Sequence, residues 1–346
     1  MFIRNAWYIA AWGDEVGDRP LARRILDRPV VLFRDQRGAA AALEDRCCHR
    51  GTPLALGQIV PQGIQCGYHG LVFDPTGKCV LVPGNHNIPR GAFVRNYPLV
   101  EKDDLIWIWM GDPQYAEPAS VLSYPYHNDQ ANWPYKHAVY HIRGGYMLVI
   151  DNLMDLSHLG YVHGGTVGGA PATHIEASMR TLGTATGVRF DRWMIDSTPP
   201  PTYVRAVGFK GRVDRWQETE FFAPSTVLQW IGAVDVGTGV LRDWKYDGVR
   251  EGGFSFRLLH GLTPETGTSC HYFWSAANGY RQNQPEATEL LFEEVGKTFE
   301  QDKHVIEAQQ TRLLETSEEG LVDIHGDGAR LHARRAVDRM LAEESR

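Results

Sequence analysis

The sequence predicts an α+β protein in two unequal parts, a small antiparallel β unit followed by a larger unit of strands and helices. Three observations predict it. Residues 1 to 115 alternate short apolar runs with turn signals; the segment "GDPQYAEPAS" (111–120) interrupts with two prolines and no periodicity; strand-like runs over 185–275 then give way to a charged amphipathic pattern over 286–318. A chain of 346 residues exceeds the usual size of one core, in keeping with domains over 1–115 and 116–346.

The elements follow in order. "WYIAAW", "PVVLFRD", "AAALED", "GLVFDPTGKCVLVPG" and "YPLVEKDDLIWIWMGDP" read as short strands of the first part. From 138 to 163 a strand-like start, "AVYHIRGG", leads into "YMLVIDNLMDLSHLGYVH", an apolar, helix-compatible run that stops at Gly164 and Gly165. Strands return in "GVRFDRWMI", "TYVRAVGF", "STVLQWIGAVDV", "GFSFRLLHGLTP" and "SCHYFWSAA". The pattern over 286–318 is a long helix, and "ARLHARRAVDRMLAEE" is a short final one.

Composition narrows the function. A net charge of -7 argues against nucleic acid, whose phosphates need a basic face. The N-terminal run is interrupted by Arg4, Asn5, Trp7 and Asp14, and nowhere do ~18 apolar residues follow one another, so a cytoplasmic protein with no membrane association is expected. Five cysteines at 47, 48, 66, 79 and 270 are too few and too uneven for a disulfide framework. Metal binding or plain burial is expected instead, with Cys79 and Cys270 as buried thiols in strands.

Cys47 and His49 form Cys-x-His, and after sixteen intervening residues the pair Cys66 and His69 forms Cys-x2-His, each within a glycine-rich loop. Two thiolates and two imidazoles satisfy a tetrahedral zinc site, but the order Cys, His, Cys, His disfavours the common finger spacings. A two-iron cluster of Rieske type takes two thiolates on one iron and two imidazoles on the other, which asks for one of each from each loop. Cys47 preserves the Cys-x-His spacing and is the expected ligand; Cys48 is expected to pack as a small filler.

A second group, Asp151, Asn152, Asp155, His158 and His163, lies within thirteen residues. On a helix Asp155 and His158 share a face, but His163 is about 140° round from His158 and converges with it only where the helix loosens. Gly164 and Gly165 offer such a place. Two histidines and a carboxylate make the facial triad of non-haem Fe(II), with open positions for dioxygen. Spacing alone does not choose the carboxylate: Glu293, Glu294, Glu300, Asp302 and Glu307 all lie on the long charged helix.

With both groups read together, the chain resembles the Rieske non-haem iron oxygenases, and within them the vanillate O-demethylase and dicamba monooxygenase group. The resemblance rests on "AWYIAAW", "CCHRGTPLALG", "CGYHGLVFDPTGKCVLVPG", "DNLMDLSHLGYVH", "LTPETGTSCHYFW" and "EQDKHVIEAQQ" and covers nearly the whole chain. It implies a Rieske antiparallel β domain followed by a helix-grip catalytic domain. It matches Cys47, His49, Cys66 and His69 to the cluster ligands, His158, His163 and Asp302 to the mononuclear iron ligands, Asp155 to an acid bridging to His69 of a neighbouring subunit, and Asn152 to a residue near the iron. His260 matches a histidine that contacts the substrate carboxylate in dicamba monooxygenase, and Gln229 stands where that enzyme has an asparagine. The stretch 237–253 is longer than the resemblance implies.

The implied activity is that of a terminal oxygenase acting on a methoxylated aromatic acid with O2. Electrons come from NAD(P)H through a separate reductase or ferredoxin, formaldehyde is released, and a homotrimer forms head to tail. Aromatic strands after 185 are candidates to line the pocket, although core packing is their commoner fate. Hydroxylation of a methyl group or ring is the alternative reaction. Two readings of other classes stand beside it. A Rieske electron carrier needs only the first domain, and a zinc-stabilised binding module would be colourless.

Overall fold

The computed structural model describes the whole chain except residues 85–86, 239–240, 243–244, 247–252, 317–319 and 346, together with the side chains of 241–242 and 245–246. Most of the long stretch 237–253 therefore lies outside the described residues. The chain divides into Met1–Ser123 with Thr263–Gly267, and Tyr124–Leu262 with Thr268–Arg346. The expected division after residue 115 falls inside the first of these.

In the first unit the apolar runs pair as their lengths dictate. Trp7–Trp12 and Leu105–Trp109 are buried at every position and form a three-stranded antiparallel sheet with Leu99–Lys102. Leu21–Ile25, Arg28–Arg34 and Ala40–Glu44 make a second meander. Four short strands, Gln58–Val60, Gly63–Gln65, Val72–Phe73 and Cys79–Leu81, make a third sheet. One core runs between the last two sheets, and Cys47, Cys66 and Cys79 are part of it beside Phe33, Leu43, Leu54 and Phe73.

The second unit is a seven-stranded sheet, antiparallel in every described pairing, with helices packed on it. Its order across the sheet is Tyr135–Ile142, Ser269–Asn278, Phe254–Thr266, Thr226–Asp235, Val213–Phe222, Gly187–Ser197 and Ser178–Gly183. The helices are α1 (Tyr146–Met154), α2 (Leu159–Val162), α3 (Pro171–Ile175), α4 (Pro201–Val207), α5 (Pro285–Thr316) and α6 (Gly328–Glu344). The long helix and the final helix stand where periodicity places them. Among the described residues no helix is long and apolar enough to cross a membrane.

Two periodicities converge on one space. Gln229 and Ile231 on one strand, Phe256 and Leu258 on the next, and Gln217 on a third point to the same sheet face, as a period of two requires. Val295, Thr298, Phe299 and Asp302 follow one another at helical spacing on α5 and face the same cavity. The tryptophans take the other fate: Trp216 and Trp274 are in the core, and no tryptophan is in the described lining. Trp274 stacks on Phe292 of α5 at 4.7 Å and meets Phe299 edge to face at 5.0 Å.

Gly232 pairs with Trp216 across the sheet, and a Cβ there would stand 2.0 Å from the Trp216 ring. Gly232→Ala therefore overpacks the sheet face and should destabilise the protein by ~1–3 kcal/mol. Urea unfolding followed by tryptophan fluorescence checks this, and an unchanged midpoint would show that Trp216 has room to move.

Candidate active site

The two cluster loops of the first unit are built alike. In one, Cys47 N–H donates to Thr52 O at 2.8 Å and Gly51 N–H to Cys47 O at 2.9 Å; in the other, Cys66 N–H donates to Leu71 O at 2.8 Å and Gly70 N–H to Cys66 O at 3.0 Å. Gly51 and Gly70 both sit at positive φ, +74° and +76°. A Cβ on Gly57 would lie 1.9 Å from Gln65 O and one on Gly67 2.7 Å from Leu56 O, so the loops approach backbone to backbone.

This approach brings the four expected ligands together as like with like. Cys47 and Cys66 are neighbours in one buried cluster, each 2% exposed. The His49 and His69 rings meet edge to face at 4.5 Å and are exposed. Burial, reinforced by the neighbouring Cys66, pushes the free Cys47 thiol up to about 11, so a bound cation is what would hold it as thiolate. Two adjacent sulfur donors and two adjacent nitrogen donors fit a two-iron cluster with a sulfur-ligated and a nitrogen-ligated iron. Cys48 is exposed, which corrects the expectation that it packs as a filler: consecutive loop residues turn to opposite sides, and Cys47 takes the inner one. Cys79 and Cys270 are buried thiols.

In the second unit the apolar run from Tyr146 is not one helix. It breaks at Asp155, which is extended (φ -128°, ψ 98°), passes through a 3-10 turn at Leu156–His158 and resumes as α2. The break is held by Asp155 itself, whose carboxylate accepts from Ser157 N–H at 2.9 Å while its carbonyl accepts from His158 Nδ1 at 2.7 Å. The loosening expected at Gly164 and Gly165 thus lies eight residues before His163, at Asp155, where local hydrogen bonds replace the helical ones.

The break turns His158 toward His163. One ligand atom from each of His158, His163 and Asp302 lies within 4.8 Å of the other two. Asp302 Oδ1 stands 3.4 Å from His158 Nε2 and 3.0 Å from His163 Nε2. The far ring nitrogens are held: His158 Nδ1 by the Asp155 carbonyl, and His163 Nδ1 by Gln301 Oε1 at 2.8 Å. That fixes the tautomer and leaves both Nε2 lone pairs converging beside the carboxylate, an arrangement suited to a divalent transition metal. Asn152 Nδ2 donates to Asp302 Oδ1 at 3.0 Å and so orients the carboxylate. Burial pushes Asp302 up, but its hydrogen bonds to the two histidines prevail and hold it at about 2. Burial likewise pushes His158 down, and Asp302 outweighs it to leave a net rise.

Two arginines that sequence reading passed over fix this segment. Arg192 donates to Leu156 O at 2.6 Å and His174 O at 3.0 Å; Arg215 donates to Val167 O at 3.2 Å and Gly168 O at 3.4 Å. Both are fully buried, and no carboxylate is within ion-pair distance of either among the described residues. Gln301 was also missed, its only signal being its place beside Asp302. Within α1, Asp151 pairs with Arg334 of α6.

The lining of the cavity beside the triad is mostly apolar. Gln229 lines it. His260 is absent from that lining: fully buried, it stands behind Gln229, with Nε2 3.1 Å from Gln229 Oε1 and Nδ1 2.7 Å from the Tyr272 hydroxyl. Asp155 also lies off the lining, half-buried at the helix break.

Comparison with known proteins fits both sites. Residues 6–98 match the Rieske [2Fe-2S] domain and residues 142–343 the vanillate O-demethylase oxygenase C-terminal domain. The chain is 36% identical over 100% of its length to 99% of a putative toluene-4-sulfonate monooxygenase system iron-sulfur subunit from Comamonas testosteroni. It is also 36% identical, over 99% of its length, to 96% of a vanillate O-demethylase oxygenase subunit from a Pseudomonas species. A crystal structure of dicamba monooxygenase bound to 3,6-dichlorosalicylic acid aligns with TM-score 0.92 and 32% identity over 99% of both chains. The Rieske match decides between the cluster and zinc, and the second domain with its His-His-Asp group decides against a simple electron carrier. The chain belongs to the vanillate O-demethylase oxygenase family and is a Rieske-type aromatic oxygenase.

Proposed function

We propose that this chain is the terminal oxygenase of a multicomponent monooxygenase that O-demethylates a methoxylated aromatic acid. The observation that carries the reading is the mostly apolar lining of the cavity beside the triad, with His158 and Asp302 at one side and Phe256, Leu258 and Phe299 elsewhere, residue types that suit an aromatic ring. Cys47, His49, Cys66 and His69 would hold the Rieske cluster, and His158, His163 and Asp302 would hold Fe(II). The domains correspond to the two parts of the chain, cluster domain first. Iron held there supplies the activation of dioxygen, which is chemistry of the metal and not of the side chains.

The residues contribute position and exclusion of water. Gln301 and the Asp155 carbonyl orient the two imidazoles, Asn152 orients the carboxylate, and the leucines around α1 and α2 keep the cavity dry. In the overall reaction Ar–O–CH3, O2, two electrons and two protons give Ar–OH, formaldehyde and water. The electrons come from NAD(P)H by way of a separate reductase or ferredoxin. Asp155 is assigned as the acid that meets His69 of a neighbouring copy in a head-to-tail trimer. Hydroxylation of a ring methyl is a second reading, favoured by the full-length similarity to the relative named for toluene-4-sulfonate.

Oxygen uptake and formaldehyde release with a panel of methoxybenzoates and a surrogate reductase test the reaction. About one formaldehyde per O2 is expected with at least one member. Uptake with a benzylic alcohol as product from methylbenzoates, and no formaldehyde from any methoxybenzoate, would replace the first reading by the second.

His163→Ala should keep the visible and EPR spectra of the Rieske cluster while iron falls from about three to about two per chain. Loss of both signals together would show that the two sites are not separable. Asn is as good a helix-capping acceptor as Asp, so Asp155→Asn keeps the Ser157 contact and the main-chain bond to His158. It should retain both metals and lose more than about tenfold in turnover; wild-type turnover would remove Asp155 from the electron route.

A further inference from the structure

The lining carries no arginine or lysine, yet the polar groups on it can be accounted for one by one. Asn152 donates to Asp302, Thr298 donates to Glu294 O, and Gln229 is occupied at both ends, by His260 and by Thr219. Two groups away from the triad remain. Gln217 accepts from Arg192 Nη1 at 3.3 Å through its Oε1, which leaves its amide hydrogens to the cavity. The Tyr203 ring lies against the Arg215 guanidinium, 5.1 Å from its centroid, which leaves the hydroxyl its own hydrogen to donate. Each free donor is thus backed by a buried guanidinium.

Those guanidiniums are poorly compensated. Their Nε atoms have no hydrogen-bond partner among the described residues, and their main-chain acceptors are neutral. Burial lowers Arg192 to about 10, with the negative Asp155 opposing and the positive Arg215 adding to the effect, so it stays protonated at neutral pH. A buried cation with no carboxylate in ion-pair contact is costly, and an anion brought to the adjoining cavity offsets part of that cost.

Resting on the aromatic-acid reading above, we propose that Gln217 and Tyr203 form the subsite for the substrate's anionic group, a carboxylate or a sulfonate, with Arg192 and Arg215 behind them as its counter-charge. Gln217 and Tyr203 contact the anion; the two arginines are positioning residues that polarise those contacts. The carbonyl bonds of the arginines make them structural as well, so the test leaves them in place. Gln217→Glu is nearly isosteric and gives Arg192 an acid partner, which preserves folding while turning a negative charge toward the cavity.

The experiment is equilibrium dialysis of the full-length protein, carrying its cluster, with 4-methoxybenzoate, 4-methoxybenzenesulfonate and the neutral 4-methoxybenzamide. At least one anion should bind about tenfold or more tightly than the amide. Gln217→Glu should weaken the anions by about tenfold or more and leave the amide within about twofold, and Tyr203→Phe should lower anion binding by a smaller factor. Preference for carboxylate over sulfonate, or the reverse, identifies which anion the subsite takes. An amide bound as tightly as the better-bound anion, no binding of either anion, or equal weakening of all three by Gln217→Glu overturns the proposal. Binding is read without turnover, so its failure is distinct from a failure to release formaldehyde.

Discussion

The second domain depends on two guanidinium groups clamped to main-chain carbonyls. The segment from Leu156 to His174 carries both candidate iron histidines and has little regular structure: a 3-10 turn, one turn of helix, a loop with glycines at 164, 165, 168 and 169, and most of the short helix α3. Left to itself such a segment would sample many conformations, and ordering it costs ~1–2 kcal/mol per residue in backbone entropy. Arg192 and Arg215, on adjacent strands of the sheet, hold it at four carbonyl oxygens. Charged donors make stronger bonds than neutral ones, and the arginine fork lets one side chain fix two points at once. The geometry of the triad follows, because His158 and His163 lie within the clamped segment while Asp302 stands on the rigid helix α5.

The same clamps explain how a buried positive charge is tolerated near a cation site. Two arginines and a divalent metal would make an unfavourable cluster in an apolar interior. Asp302 lies against the histidines, and Asp155 acts on Arg192 from the helix break, so two carboxylates are interleaved with the positive groups. His174, packed between them with its Nε2 bonded to Gly168 O, is held neutral: burial depresses it to about 4, and Arg215 and Arg192 push in the same direction. A protonated His174 would have added another charge to a site that already has a surplus.

How much of this was legible in the sequence follows from the range of the interactions. The cluster loops could be read directly, since Cys47 and His49, like Cys66 and His69, are placed by a single tight turn whose hydrogen bonds span at most five residues. Strand alternation and the α5 stripe could also be read, because period reports which face is covered, but "TYVRAVGF", expected as a strand, folds as α4 after its run of prolines. Asp302 could not be chosen from its acidic neighbours by spacing, since 139 residues separate it from His163, and only the family resemblance singled it out. The break at Asp155 was hidden by the continuous apolar run on either side, which says that both halves are buried and nothing about a change of direction between them. Arg192 and Arg215 were hidden for another reason. In "VRFDRWMI" and "VDRWQ" they look like the outward positions of a half-exposed strand, and only the loop folded over the sheet makes that face an interior.

The asymmetry within the first unit follows from the same contrast between local and distant causes. Both cysteines take the inward side of their loops, packed with Phe33, Leu54 and Phe73, and both histidines take the outward side. Since the loops repeat one hydrogen-bond pattern, the alternation that buries one sulfur buries the other and exposes the matching nitrogens. The sulfur-ligated iron would therefore sit in an apolar wall that resists a change of charge, and the nitrogen-ligated iron would face outward. Tyr68, itself exposed, lies over His69 with ring centroids 3.9 Å apart, so one edge of that outward face is aromatic and the His49 edge is bordered by the exposed Arg46 and Arg50. An electron partner that meets this surface approaches the imidazoles and never the thiolates, and that direction of approach is set by which side of a five-residue turn is packed against the core.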